Sequence, residues 1–164
     1  MIKGLHHNAY RCRDSEETRR FYEDFLGLPL VNAFEITETK SGRQTHVLHS
    51  FYRMDDGSCL AFLDAPASPF EFKPQHDYDL HIALEVPREA LEPMIEKARA
   101  AGVDVRGIAD HVIIDSIYFR DPNGYVIELT AKRPDHDAGM DPARNGARAN
   151  LTRWQQDKAG YGAK

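Results

Sequence analysis

Two histidines and one glutamate, His7, His81 and Glu128, supply the residue types of a facial metal triad. Two neutral imidazoles and a carboxylate on one side of a cation leave neighbouring coordination positions open, a set that suits non-haem Fe(II), with Mn(II), Ni(II) and Zn(II) as the other candidates. Glu128 follows the turn Asp121-Pro122-Asn123-Gly124 and lies in a stretch that alternates. Tyr125, Ile127 and Leu129 share one face of that strand, and Val126, Glu128 and Thr130 the other. The carboxylate therefore sits on the less apolar face, where an isolated glutamate is ordinarily a solvated edge-strand residue. Upstream, His111 and Tyr118 stand at a spacing to the turn and to Glu128 that packing alone does not require.

An internal repeat argues against the ordinary reading. His7-Asn8-Ala9-Tyr10-Arg11-Cys12 and His81-Ile82-Ala83-Leu84-Glu85-Val86 both read as short strands that open on a histidine with alanine two residues later. A lone histidine at a strand start usually just hydrogen-bonds locally, but two at equivalent repeat positions, with a carboxylate on the last strand of the second half, point to a shared ligand. His6 competes with His7 for this role. His7 is preferred because it shares its face with Ala9 and matches His81.

The elements that follow each histidine strand are also alike. Asp14 with Glu17 three residues on is a capping-box pattern opening a helix through Phe21, Tyr22, Phe25 and Leu26, which stops at Gly27. In the second half, Leu91, Met94, Ile95 and Ala98 line one side of a helix ending near Gly102, and Pro93 is tolerable only in its first turn. Each half then carries a turn dipeptide before its last strand, Asp56-Gly57 and Asn123-Gly124. The expected fold is α+β, built from two paired βαβββ modules. Its boundaries are a single domain over residues 1–133, with module one over about 1–65, a connector at 66–78 and module two at 79–132. The connector is rich in proline and aromatic residues and long enough to cover a pocket. Residues 134–164 form a polar tail in which Ala147, Leu151 and Trp154 fall at i, i+4 and i+7, the spacing of a short docking helix.

Composition narrows the partners. A formal charge of −5 with no long Lys/Arg run argues against nucleic acid and anionic membranes and favours a small molecule. The first residues turn polar too early for a signal segment, and no stretch approaches the roughly 20 apolar residues of a membrane span, so a cytoplasmic location is expected. Cys12 and Cys59 are too few for a disulfide framework, and neither has a CxxC partner that would make a cysteine metal site.

At this point the residues resemble the vicinal oxygen chelate superfamily of glyoxalase I, fosfomycin-resistance proteins and extradiol ring-cleaving dioxygenases. The pattern of a histidine, an aspartate seven residues on, then a helix ending FY-x-x-x-LG looks like His7, Asp14 and Phe21-Tyr22-Glu23-Asp24-Phe25-Leu26-Gly27. The resemblance covers roughly residues 4 to 132 and implies a metal-binding cup. Within it, the stretch from His111 through Tyr118 and Asp121-Pro122-Asn123-Gly124 to Glu128 looks like the extradiol dioxygenase motif, departing from it only at Ala109.

The resemblance implies an Fe(II) extradiol-type dioxygenase that opens a small aromatic diol with molecular oxygen. His111 and Tyr118 would then be catalytic, His7, His81 and Glu128 would be the metal ligands, and a homodimer would be the expected assembly. One departure counts against the dioxygenase, and two features count against the other members of the family. Ser58 stands where the dioxygenases are expected to have a first-half histidine, with His46 or His49 as substitutes one strand earlier, and Phe62 stands where glyoxalase I supplies a fourth ligand. No Lys/Arg cluster is arranged for a phosphonate. The alternatives are a glyoxalase-like metal-dependent lyase or isomerase and a metal-free small-molecule binding or resistance protein.

Overall fold

The computed structural model of the chain describes residues 1–160. The first half runs β1 (Tyr10–Cys12), α1 (Ser15–Arg19) continuing into a wider π-helical turn (Arg20–Phe25), β2 (Leu30–Glu38), β3 (Gln44–Arg53) and β4 (Cys59–Asp64). The second half runs β5 (His81–Glu85), α2 (Leu91–Ala100) entered through a tight turn at Arg88–Ala90, β6 (Val105–Asp110), β7 (Ile114–Arg120) and β8 (Val126–Lys132). The strand orders are β1-β4-β3-β2 and β5-β8-β7-β6. Each half is thus a βαβββ module, as the repeat predicts, and its last strand lies second in its own sheet.

Local chemistry explains the elements. The Asp14 carboxylate accepts hydrogen bonds from the backbone N–H of Glu16 and of Glu17, capping α1. The helical segment ends where Gly27 takes a φ of 87°, a left-handed conformation that costs glycine little. Its inner face buries Phe21, Tyr22 and Phe25, and Tyr22 packs on Phe62 at 4.6 Å between ring centroids and on Tyr52 at 5.6 Å. In α2, Pro93 is the third residue, inside the first turn as required, and Leu91, Ile95 and Ala98 form the buried stripe.

The first strand is shorter than the alternation predicts. It starts at Tyr10, and His7 makes only an isolated parallel bridge to Cys59. The side-chain oxygen of Asn8 accepts the Ala61 N–H at 3.1 Å, taking a place that a backbone carbonyl fills in a regular ladder. The strand is thereby interrupted between His7 and Tyr10.

Packing divides the chain into two compact units, Met1–Ile82 with Phe119–Ile127, and Ala83–Tyr118 with the chain from Glu128 onward. In the first unit, the turn after β7 is tied in by a buried polar knot. The Asp121 carboxylate accepts the Tyr22 hydroxyl at 2.9 Å, the Asn123 side-chain amide at 2.9 Å, and the backbone N–H groups of Asn123 and Tyr125 at 2.9 and 2.8 Å. The Asn123 side-chain oxygen accepts the Arg13 N–H at 2.7 Å. Burial raises the Asp121 pKa above the ordinary aspartate value despite these donors. The connector packs here too. Arg11 lies over the Phe70 ring and Arg13 over the Phe72 ring, at 5.2 and 5.4 Å, and the Gln75 N–H donates to the Gly124 carbonyl.

The tail forms α3 (His136–Met140) and α4 (Ala147–Asp157). The predicted helix is present, but Leu151 and Trp154 are 56% and 57% exposed. Among the described residues, no helix is long and apolar enough to cross a membrane.

Candidate active site

The hairpin of β7 and β8 builds the polar centre of the second unit. Alternation places Ser116 and Tyr118 of β7 on one face, and Glu128 and Thr130 of β8 on the face that meets them. Ser116 Oγ donates to Thr130 Oγ1 at 3.2 Å, and one step along the hairpin the Tyr118 hydroxyl hydrogen-bonds Glu128. Glu128 is 4% exposed. The expectation for an isolated glutamate, a solvated edge-strand residue, does not describe it, because β8 is flanked by β5 and β7 and is buried on both faces.

His111 completes this centre from the turn between β6 and β7. Its Nε2 lies 2.7 Å from the Tyr118 hydroxyl. Which of the two donates depends on the tautomer of the imidazole. Burial first, and the charge of Glu128 second, push the Tyr118 pKa above the ordinary tyrosine value. The phenol is therefore held protonated near neutral pH, with the Arg106 guanidinium 4.8 Å from its ring centroid.

The turn that presents His111 is unusual. Val112 has a φ of 72°, a left-handed conformation that a β-branched side chain rarely adopts. The Val112 N–H donates to the Asp110 carboxylate at 2.7 Å, and the His111 N–H to the Ile114 carbonyl at 2.9 Å. Arg133 clasps Asp110 in turn, and its N–H donates to the Ile113 carbonyl at 3.0 Å. The turn is thus held at both ends.

His81 lies at the start of β5. Its Nδ1 is 2.7 Å from the Asp77 carbonyl oxygen, which can only accept. Nδ1 therefore carries a proton, and in the neutral tautomer of such a ring Nε2 is the nitrogen that can ligate a metal. His7 lies in the first unit, with its Nδ1 at 2.7 Å from Nδ1 of His6 and its ring 5.9 Å from that of His49 and 5.3 Å from that of Phe51. Of the two candidate substitute histidines, His49 is the one that meets His7. His46 is three residues away on the opposite face of β3 and pairs with Glu35 at 3.0 Å. Ser58 is buried, with its hydroxyl bound to the Asp56 carboxylate at 2.6 Å.

The structure thus gathers His111, Tyr118 and Glu128 into one hydrogen-bonded chain. Among the described residues, no three His, Cys, Asp or Glu side chains form a cluster that could hold a metal ion. The donor chemistry of the proposed ligands nonetheless fits a divalent cation: an imidazole oriented by its backbone bond, a second imidazole, and a buried carboxylate. Neither cysteine offers an alternative. Both are buried, and desolvation pushes the Cys12 thiol up to about 12.

Comparison with known proteins decides the family. Residues 4–129 match the Glyoxalase/Bleomycin resistance protein/Dioxygenase superfamily. The chain belongs to this superfamily. Its fold is shared by a glyoxylase/bleomycin resistance protein/dioxygenase domain from Frankia sp. EAN1pec, with a TM-score of 0.65 and 16% identity over 84% of this chain and 99% of that one. A mutant form of FosX, a fosfomycin resistance protein from Listeria monocytogenes, complexed with Mn(II) and 1S,2S-dihydroxypropylphosphonic acid, has a TM-score of 0.60 and 20% identity over 84% and 98% of the two chains. A glyoxalase/dioxygenase from Nostoc punctiforme has a TM-score of 0.60 and 21% identity over 80% and 92%. A search of curated proteins found no match. At these identities the superfamily members share a fold with this chain, and the reaction has to be argued from its own side chains.

Proposed function

We propose that this superfamily member is a metal-dependent oxygenase that opens the ring of a small aromatic diol next to its two hydroxyls, with molecular oxygen as co-substrate. The observation that carries the reading is the chain His111, Tyr118, Glu128, because it joins the residues of the extradiol-like motif through hydrogen bonds. His7, His81 and Glu128 are the proposed ligands of one divalent metal, Fe(II) by preference and Mn(II) next. A divalent metal, when bound, lowers the pKa of a coordinated hydroxyl, so that a vicinal diol binds as an anion.

The protein's own groups then handle position and protons. The Tyr118 hydroxyl, kept protonated by its surroundings, orients an oxygen of the substrate. His111, hydrogen-bonded to that hydroxyl, exchanges a proton with the substrate as acid or base. The pairing of a buried carboxylate with a phenol keeps both groups from wandering, so neither needs to reorganise during the reaction.

A second reading, a lyase or isomerase acting on a chelating carbonyl substrate, is favoured by one feature. Ser58, at the place of the expected first-half histidine, is locked in its own turn by Asp56 and offers no imidazole for oxygen chemistry. We also propose a homodimer, supported by the exposed apolar face of α4.

Metal analysis combined with oxygen uptake across a panel of catechols tests the reading. Stoichiometric metal with catechol-dependent uptake supports the oxygenase. Metal without uptake, accompanied by turnover of a chelating carbonyl compound, replaces it with the lyase or isomerase. Ligand binding without metal replaces it with a binding protein.

A further inference from the structure

The turn that carries His111 is gripped by the chain that follows β8. A left-handed backbone at a β-branched residue is costly and persists only where surrounding contacts impose it. Val112 has such a backbone, with a φ of 72°, yet it is 78% exposed, so packing of its own side chain does not hold it there. Inside the turn, the Ile113 N–H donates to the His111 carbonyl at 2.9 Å. The outside restraint comes from Arg133 and α3.

Arg133 acts at both ends of the turn. Its backbone N–H donates to the Ile113 carbonyl at 3.0 Å, and its guanidinium pairs with the Asp110 carboxylate, which also accepts the Val112 N–H. The Asp110 pKa is lowered, chiefly by Arg133 and then by that N–H, as befits a carboxylate shared between two donors. The same guanidinium reaches Asp115 at 3.6 Å, which ties the turn to β7, the strand that bears Tyr118.

The helix α3 closes on the turn from the side. A Cβ on Gly139 would sit 2.6 Å from Cγ2 of Ile113, closer than real Cβ contacts come. Glycine weakens a helix interior, and here its use is the close approach of α3 to Ile113. The Gly139 carbonyl also accepts the Asn145 side-chain amide at 3.0 Å, which anchors α3 to the chain beyond it. Arg133 and Gly139 both lie past the last residue of the superfamily match.

We propose that Arg133 and Gly139 are positioning residues, which fix the turn so that Nε2 of His111 stays within reach of the Tyr118 hydroxyl. The catalytic meaning of this clamp rests on the proposed function, in which His111 is the acid or base. Displacing such a group by about 1 Å is enough to cost on the order of 10²-fold in rate. A grip on Ile113 and Asp110 therefore governs turnover without touching the substrate.

The test is the imidazole nitrogen spectrum of the full-length, Zn(II)-loaded protein, with Tm and the oxygen uptake of the Fe(II)-loaded protein on catechol measured alongside. Tyr118→Phe removes the hydroxyl and marks where the His111 Nε2 resonance moves when the contact is lost. Gly139→Ala should shift the resonance toward that position and lower kcat about tenfold or more, with KM and metal content unchanged. Adding Ile113→Ala, which removes the overlapped methyl, should restore both. A resonance equally displaced in that double variant overturns the role of the Gly139 contact. Arg133→Gln should act in the same direction as Gly139→Ala, and Arg133→Lys, which keeps a cation on Asp110, should recover part of the loss. This pair decides if Gly139→Ala does not fold. A resonance at its wild-type position in Gly139→Ala and Arg133→Gln, with Tm lowered, overturns the positioning role and leaves the proposed function standing. A displaced resonance with no catechol-dependent uptake by the wild type overturns the proposed function and leaves the clamp intact.

Discussion

His111 Nε2 stands 2.7 Å from the Tyr118 hydroxyl, and Tyr118 bridges it to the buried carboxylate of Glu128. Seven residues of sequence separate the first pair, and the turn around Val112 folds the intervening chain back so that the loop imidazole reaches the strand phenol. Three titratable groups thereby share one line of hydrogen bonds, which makes each dependent on its neighbour.

Removing either upstream member should damage catalysis without emptying the metal site. Tyr118→Phe and His111→Phe are each expected to lower turnover by about 10²-fold or more, the range of a lost acid/base or orienting group. Metal content should persist in both. Unchanged turnover with the true substrate would leave the pair with a structural role only.

Alanine at His7, His81 or Glu128 should abolish stoichiometric metal binding while circular dichroism shows the fold retained. Metal analysis of the triple variant decides the assignment. Full occupancy in that variant would place the metal elsewhere.

Gly124 should resist substitution. Its φ is 95°, and a Cβ there would sit 2.6 Å from the Lys73 carbonyl oxygen. Gly124→Ala combines left-handed strain with overlap against rigid backbone, and is expected to cost at least about 2 kcal/mol, read as a fall in Tm of roughly 4–8 °C. A Tm equal to wild type would show that the connector moves aside freely.

Acid stability should depend on the ion network of the first helical segment. The guanidinium of Arg19, with that of Arg20, holds Glu16 down at about 2, and Arg19 also lowers Asp24. Glu23 is lowered chiefly by the Leu30 N–H, then by Arg19. Depressed carboxylate values mean that the folded state binds fewer protons than the unfolded chain, so this stabilisation is present above the ordinary carboxylate range and fades as the pH falls toward about 2. Arg19→Ala should flatten the dependence of Tm on pH across that window, modestly because these groups are exposed. An identical slope would mean the network contributes nothing measurable.

The exposed pair on α4 sets the assembly test. Burying Trp154 contributes on the order of 2–3 kcal/mol, enough to matter at a modest interface. Sedimentation over a concentration series should show a dimer for the wild type and a shift to monomer for the Leu151→Ser, Trp154→Ser double variant. A wild type that stays monomeric throughout would rule out the dimer.

Much of this protein is written locally in its chain. The Asp14 cap, the glycine stops at Gly27 and Gly102, the first-turn Pro93 and the two turn dipeptides act over a few residues. Backbone and neighbouring side chains suffice to enforce them, so the repeated βαβββ order is legible without any long-range information. The donor types of His7, His81 and Glu128 and the motif running from His111 to Glu128 are legible for the same reason. Burial is not. Alternation correctly separates Glu128 from Ile127 and Leu129, yet both faces of β8 are covered, because its neighbours β5 and β7 come from segments whose pairing no local pattern encodes. The choice between His46 and His49 was likewise beyond spacing. Only the tertiary structure puts His49 against His7, through a bridge from His7 to Cys59 and the β3–β4 ladder, because side chains distant in the chain meet only when strands are paired in one register.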